Sequence, residues 1–201
     1  LGIPHPRGSK DVQYIGDVAR ALVELAKEQP QLPKACLKHN FSISGYGNAV
    51  VDLGELQSRL QTGEEVDNPM YRWVTDNLPA WTHLVHDRQT WNSYLERLSL
   101  EGGVVEEFVE GDPCSVQVRI DLDGTVDVIG THEELMGGEN SQVYLGCRFP
   151  ASQRLAGRLG AGLRALPQSS GHGLIQRCDL LLFLRFVLTV TRWHLILGCL
   201  S

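Results

Sequence analysis

The segment best suited to chemistry is a lysine that ends a short apolar run and precedes a loop of small residues. Ala35, Cys36 and Leu37 lead into Lys38, and a second apolar run covers residues 49–51. We interpret this order as strand, cation, flexible loop, strand. An ammonium group can bind a polyphosphate together with glycine N–H groups, which approach closely because no Cβ intervenes. The loop residues with suitable side chains or backbone are Ser42, Ser44, Gly45, Gly47 and Asn48.

Other phosphate-binding patterns do not describe this loop. No Gly-Lys-Ser/Thr triplet opens a helix here, so the spacing differs from that of a P-loop, and it also differs from the dinucleotide fingerprint. A glycine-rich turn between two strands is more often a plain hairpin with no chemistry. From these residues alone both interpretations stay open.

Composition excludes several classes of partner. The 201 residues, 42% of them hydrophobic, are enough for one medium domain or two small ones with a packed core. A net charge of −6 without a Lys/Arg cluster argues against nucleic acid and anionic membranes as partners. The five cysteines are scattered and form no Cys-x-x-Cys pair, which argues against zinc and favours reduced thiols in a cytoplasmic protein.

The two ends of the chain prompt two further expectations. The chain begins at Leu1 rather than at methionine, with no signal-peptide pattern, and we expect a fragment of a longer protein. Residues 174–200 are very apolar, which raises the alternative of a membrane helix. Charged residues interrupt them well before the roughly 20 residues that a membrane span requires. We therefore predict two buried strands there.

Hydrophobic periodicity predicts a mixed α+β chain. Helices are expected from Val12 to Leu25, capped by Ser9 or Asp11, and over residues 52–60, 90–100 and 155–166. Residues 61–82 are polar and contain two prolines, which favours a long loop or an insertion. Antiparallel strands are expected over residues 104–109, 115–120, 125–129 and 143–149, with a loop over 132–138.

Four other groups carry charge where chemistry is conceivable. Arg119, between two apolar strand residues, could hold a phosphate or a carboxylate, and a surface salt bridge is the alternative. His132 with Glu133 and Glu134 could form an acid/base or metal cluster, but ordinary loop charge is the more common explanation of such a group. Asp179 among leucines needs a cation or a metal as partner.

Lys38, the loop after it and Val-Val-Glu-Glu-Phe-Val-Glu-Gly at 104–111 occur in an order that resembles the ATP-grasp superfamily, and within it the carboxylate–amine ligase-like group. The resemblance covers residues 1–179. It implies two α+β lobes with antiparallel sheets and ATP between them. The first lobe is residues 1–103, with an insertion at 61–82. The second is residues 104–201, C-terminally incomplete because it is truncated or divergent after about 179.

The resemblance also implies roles for single residues. Lys38 would contact the phosphates, and Ser42, Ser44, Gly45, Gly47 and Asn48 would fold over them. The hinge that binds adenine matches Glu106, Glu107, Phe108 and Val109, and Ser115 or Asp112 would replace the usual ribose-binding carboxylate. Arg119 is the candidate catalytic residue. The implied reaction activates an unknown carboxylate as an acyl phosphate, which an amine or a thiol then displaces.

One departure from the family weakens the metal side of the site. The resemblance places a Mg²⁺ ligand at Asp179 and two more in a later Glu-x-Asn motif. Gly198-Cys199-Leu200 stands where that motif belongs, so two ligand oxygens are missing. The alternative to a ligase is therefore a non-catalytic nucleotide-binding or interaction module with a protein partner.

Overall fold

The computed structural model describes residues 5–42, 45–120, 126–138, 140–157, 180–188 and 193–196, the last two ranges as backbone only. The chain divides into two compact units, and each is described separately. The first contains Pro6–Phe108 and Gly138–Val143, and the second contains the described residues of Val109–Gly137 and those from Tyr144 onward. The unit boundary falls after β5, five residues beyond the sequence-based lobe boundary at 103/104.

The first unit is a five-stranded antiparallel sheet with four helices. The sheet order is β1-β5-β2-β3-β4. Its strands are β1 Gly8–Val12, β2 Lys34–His39, β3 Asn48–Asp52, β4 Thr82–Leu84 and β5 Gly103–Glu107. The helices are α1 Ile15–Glu28, α2 Gly54–Gln61, α3 Asn68–Trp81 and α4 Trp91–Glu101. The strand–loop–strand prediction around Lys38 is confirmed by the antiparallel pairing of β2 with β3.

The core of this unit lies on one face of the sheet. Leu37 on β2, Val51 on β3 and Val105 on β5 are completely buried with Leu22 of α1 and Leu98 of α4. Burying one such side chain contributes about 1.5–3 kcal/mol, which makes this face the main source of stability. Because side chains alternate along a strand, the residues between these positions face the other way. Lys38 of β2 and Glu106 of β5 are on that second face.

The prediction of a loop over residues 61–82 is wrong, because α3 occupies most of it. Asp67 caps the helix by accepting a hydrogen bond from the Met70 backbone N–H at 3.0 Å. Pro69 lies in the first turn, where a missing N–H leaves no hydrogen bond unmade. Val74 and Leu78 are fully buried in the core. The polar composition concealed a helix whose apolar residues recur every three or four positions.

Two other boundaries differ from the prediction. The first helix begins at Ile15 rather than at Val12, because β1 covers Gly8–Val12 and includes both residues predicted as caps. The carboxylate of Asp17 instead accepts the Tyr14 backbone N–H at 2.9 Å at the start of the helix. The loop predicted over 132–138 is also wrong, since β7 continues through Gly137. The helices near residues 52–60 and 90–100 are confirmed as α2 and α4.

The second unit is another five-stranded sheet, in the order β10-β9-β6-β7-β8. Its strands are β6 Asp112–Ile120, β7 Val126–Gly137, β8 Val143–Arg148, β9 Leu180–Leu188 and β10 Trp193–Ile196. The backbone of β9 and β10 confirms two antiparallel strands in the apolar tail. Among the described residues no helix has the length and apolar character needed to cross a membrane. The predicted helix at 155–166 is described only over 153–157.

Candidate functional site

A buried ion pair occupies the sheet face that carries no helices. On β2 and β5, Cys36 lies opposite Glu106 and Lys38 lies opposite Val104, so Lys38 and Glu106 are diagonal neighbours on one face. The Lys38 ammonium donates to the Glu106 carboxylate. Their side chains are only 12% and 18% exposed. Three N–H donors on the ammonium leave capacity for further acceptors such as phosphate oxygens.

The loop after Lys38 is closed by backbone hydrogen bonds and tight glycine packing. His39 N–H donates to the Gly47 carbonyl at 3.1 Å, and Asn48 N–H donates to the Gly45 carbonyl at 2.8 Å. Gly45 has a φ of +84°, which side-chain-bearing residues rarely adopt. A Cβ on Gly47 would lie 2.4 Å from the Cβ of Ser42. Glycine is therefore required at both positions for this loop shape.

Tyr94 of α4 supports the loop from the core side. Its buried hydroxyl lies 3.1 Å from the Leu37 carbonyl oxygen and 3.0 Å from that of Gly47, and it donates to this pair. Its ring stacks on His39 with centroids 4.1 Å apart. His39 is buried on the core face, opposite Lys38, as strand alternation predicts. Burial lowers the pKa of His39 and raises that of Tyr94.

Burial also suppresses the chemistry of the thiol between Lys34 and Lys38. Cys36 is almost fully buried, and this burial raises its pKa to about 11 against the opposing effect of the Lys38 charge. Thiolate is the reactive form, so this cysteine is a poor nucleophile at neutral pH. Among the described residues, this face therefore offers ammonium groups and backbone N–H groups, and its Cys36 is not an activated nucleophile.

The four residues predicted to form the adenine-binding hinge lie on two faces of the first sheet and in two units. Glu106 belongs with Lys38, whereas Glu107 accepts hydrogen bonds from the Arg7 N–H at 3.1 Å and the Gln29 side chain at 2.7 Å. Phe108 N–H donates to the Lys34 carbonyl, which continues the pairing of β5 with β2. Val109 begins the second unit.

The remaining predicted residues lie within the second unit. Ser115 is buried on β6. The Arg119 guanidinium donates to Asp127 across the β6–β7 pair at 2.9 Å, with both side chains about half exposed. Asp112 pairs with Arg154 at 2.8 Å. Exposed pairs of this kind contribute at most about 1 kcal/mol to stability.

The residues that the structure describes fit a phosphate group and do not supply a metal site. A buried ammonium beside a glycine loop is a suitable donor set for phosphate oxygens. No group of three or more His, Cys, Asp or Glu side chains suited to a metal ion occurs among the described residues. Ser44, Asp179 and residues 198–200 lie outside them.

Sequence reasoning missed a second set of contacts on this loop. The Asn48 side-chain amide donates to the Gln142 side-chain oxygen at 3.0 Å. The Lys34 ammonium donates to the Asn140 side-chain oxygen at 3.2 Å. Both partners lie in the connection between β7 and β8, about a hundred residues away in the chain. The only sequence signal for these contacts was a run of hydrogen-bonding side chains at residues 139–142, between two predicted strands.

Comparisons with known proteins give two curated relatives. The chain is 40% identical over 158 residues to L-propargylglycine–L-glutamate ligase of Streptantibioticus cattleyicolor, covering 76% of this chain and 28% of that protein. It is 23% identical over 171 residues to IQ motif-containing protein H of Danio rerio, covering 74% of this chain and 16% of that protein. The chain thus spans less than a third of the length of either relative. No protein-family model matches it.

Solved structures match nearly the whole chain. The ADP complex of PurK, N5-carboxyaminoimidazole ribonucleotide synthetase, has a TM-score of 0.55 at 15% identity over 97% of this chain and 40% of that one. The βγ-ATP complex of biotin carboxylase from Campylobacter jejuni has a TM-score of 0.55 at 16% identity over 97% of this chain and 36% of that one. These matches and the two antiparallel sheets agree with the resemblance in the motifs. The chain therefore has the ATP-grasp fold of carboxylate–amine ligase-like proteins.

Proposed function

We propose that this chain binds ATP, with Lys38 contacting the phosphates and the loop that contains Gly45 and Gly47 lying over them. The observation that carries the proposal is the Lys38–Glu106 pair, withdrawn from water beside a glycine loop on the helix-free sheet face. A buried cation contributes more to anion binding than an exposed one, because water screens it less. The nucleotides in the structural neighbours support the same ligand.

The other predicted residues have proposed parts in the same binding event. Backbone groups of Phe108 and Val109 would pair with the edge of adenine, and Glu106 or Glu107 would orient it. The Ser115 hydroxyl would form a hydrogen bond with a ribose hydroxyl. Arg119, whose pair with Asp127 is half exposed, would bind the substrate carboxylate or a phosphate.

The proposed reaction class is ATP-dependent joining of a carboxylate to an amine. A substrate carboxylate oxygen attacks the terminal phosphorus, and the bond from that phosphorus to ADP breaks. An amine nitrogen then attacks the acyl carbon, phosphate leaves, and the amine loses a proton. The name of the 40% identical relative, a ligase, supports this class. The contribution of Lys38 would be charge neutralisation and positioning, which provide most of the rate in phosphoryl transfer.

A divalent cation would help neutralise the phosphates, and Asp179 is its proposed ligand. The residues that the structure describes do not complete a magnesium site, and Gly198-Cys199-Leu200 lacks the expected carboxylate and amide. This observation favours the second candidate function, a nucleotide-binding module without turnover. ADP release in the presence of candidate acids and amines separates the two. Binding without release would identify the module.

Nucleotide binding is tested by thermal unfolding with millimolar ADP or ATP, with and without magnesium. We expect a rise in Tm for the wild type and none for Lys38→Met. Lys27, an exposed lysine on α1, provides the matched control, since Lys27→Met should keep the full rise. Because Lys38→Met leaves the Glu106 carboxylate unpaired, Lys38→Met with Glu106→Gln should restore folding and still not respond to nucleotide. A wild type that does not respond, or a Lys38 variant that does, would refute the proposal.

A further inference from the structure

The connection between β7 and β8 packs against the loop beside Lys38. Gly138–Val143 belong to the first unit, although β7 and the rest of β8 belong to the second. Its turn is closed by Ser141 N–H donating to the Gly138 carbonyl at 3.2 Å. We call the described part of this connection, residue 138 and residues 140–143, the strap. It brings side-chain amides from the C-terminal half to the loop of the N-terminal half.

Two side-chain hydrogen bonds and one close backbone contact join the strap to β2, β3 and the glycine loop. Gln142 accepts from Asn48, which is 8% exposed and therefore has little access to water as an alternative partner. Asn140 accepts from Lys34, four residues before Lys38 on the same strand face. The backbone carbonyl of Gln142 lies so near Gly45 that a Cβ at Gly45 would come within 2.2 Å of its oxygen. The fit of loop and strap thus depends on the absence of a side chain.

We propose that the strap holds the glycine loop in its nucleotide-binding shape, with Gln142 as the positioning residue. Gln142 need not touch the nucleotide. It fixes Asn48, whose backbone N–H closes the turn by donating to Gly45, and so it aims the loop N–H groups. A loop already ordered in its bound shape loses less conformational entropy when the ligand arrives.

A reciprocal consequence follows from linkage. If the strap stabilises the loop shape that binds phosphates, then phosphates bound to the loop must stabilise the docked strap by the same factor. The inference rests on the proposed function for its effect on affinity, but the contact between strap and loop is testable without any nucleotide.

The first experiment compares Gln142→Ala with Gln61→Ala, which removes an exposed glutamine at the end of α2. Loss of one net hydrogen bond corresponds to a factor of about two to ten. We expect Gln142→Ala to weaken ADP binding by about that factor and adenosine binding hardly at all, because only the phosphates contact the loop. Gln61→Ala should bind both normally. Equal weakening of ADP and adenosine would indicate a general structural role and would overturn the assignment.

The second experiment separates steric fit from backbone strain at glycine. Gly45 and Gly63 have φ values of +84° and +79°, but a Cβ on Gly63 has nothing within 4 Å. Alanine at either position imposes similar strain, whereas only Gly45→Ala pushes against the strap. We expect Gly45→Ala to speed hydrogen exchange of the strap amides and Gly63→Ala to leave them unchanged. Unchanged strap exchange in Gly45→Ala would contradict the docking.

Hydrogen exchange of the nucleotide-free protein tests the strap–loop contact separately from the proposed nucleotide binding. In Gln142→Ala the amides of residues 45–48 should exchange several-fold faster than in the wild type, with no nucleotide present. ADP should in turn slow the strap amides of the wild type. If the wild type fails to bind ADP while the first result holds, the proposed function fails and the strap contact stands. Unchanged exchange of residues 45–48 would overturn the strap itself.

Discussion

Replacing Tyr94 with phenylalanine tests how the core supports the glycine loop. The substitution keeps the ring, its stack on His39 and its packing, and it removes only the hydroxyl. That hydroxyl is fully buried and shares its proton between the carbonyls of Leu37 and Gly47. The Gly47 carbonyl retains a second donor, the His39 N–H at 3.1 Å, so it is not left without a partner.

The expected loss follows from these partners. A net hydrogen bond contributes about 0.5–1.5 kcal/mol to stability. The buried Leu37 carbonyl also loses a donor that water does not replace, which adds part of the desolvation cost of that oxygen. No cavity larger than one oxygen atom forms, so the cavity contribution is small. We expect Tyr94→Phe to lower the free energy of unfolding by about 1–2 kcal/mol.

Urea unfolding followed by tryptophan fluorescence is a suitable assay, because Trp91 stacks on Tyr94 with ring centroids 5.9 Å apart. The midpoint should fall while the slope with urea stays the same, which identifies a change in stability rather than in exposed area. Tyr71→Phe on α3 is the control, since the structure gives the partly exposed Tyr71 hydroxyl no partner among the described residues. A loss below about 0.5 kcal/mol, or equal to that of Tyr71→Phe, would refute the reasoning.

Two further predictions concern buried titratable groups. Burial holds the pKa of His39 below its usual value near 6.5, so the unfolded chain binds a proton first as the pH falls. The stability present above about pH 6.5 should therefore be lost below it. Urea unfolding at several pH values should show a free energy of unfolding that varies less with pH in His39→Gln than in His83→Gln, which changes an exposed histidine as the control. Identical profiles would contradict this. Iodoacetamide at pH 8 should modify the exposed Cys147 quickly and the buried Cys36, with its pKa of about 11, only after denaturant is added, as read by peptide mass spectrometry. Rapid labelling of Cys36 in the native protein would show that this face is open to solvent.

Local patterns predicted well wherever short-range physics decides structure. The strands flanking the loop after Lys38 and the helices α2 and α4 are recognisable because apolar periodicity and glycine breaks coincide there. The prediction was wrong where composition misled, as in α3, which is capped by Asp67 and contains Pro69 in its first turn and Pro79 near its C-terminal end. It was also wrong at β7, where charged residues near position 133 continue an exposed strand instead of forming a loop.

The candidate site was predictable only in part. Lys38 and the glycines were singled out because phosphate binding demands a cation and free backbone within a short segment, and their role stays a prediction. The pairing of Lys38 with Glu106 required the register between β2 and β5, which no local pattern specifies. The division of Glu106 and Glu107 between two faces required knowing which of them lies toward α1, where Gln29 bonds to Glu107.

By itself, the sequence determined the α+β class, the position of Lys38 and its loop, and the resemblance that the fold comparison supports. These depend on residue types a few positions apart, whose preferences act within a turn or a strand. Only the tertiary structure decided that Glu106 neutralises Lys38, that Tyr94 supports Gly47 and that Gln142 reaches Asn48. Such partners lie between 47 and 94 residues apart, and their meeting is set by strand register and helix packing.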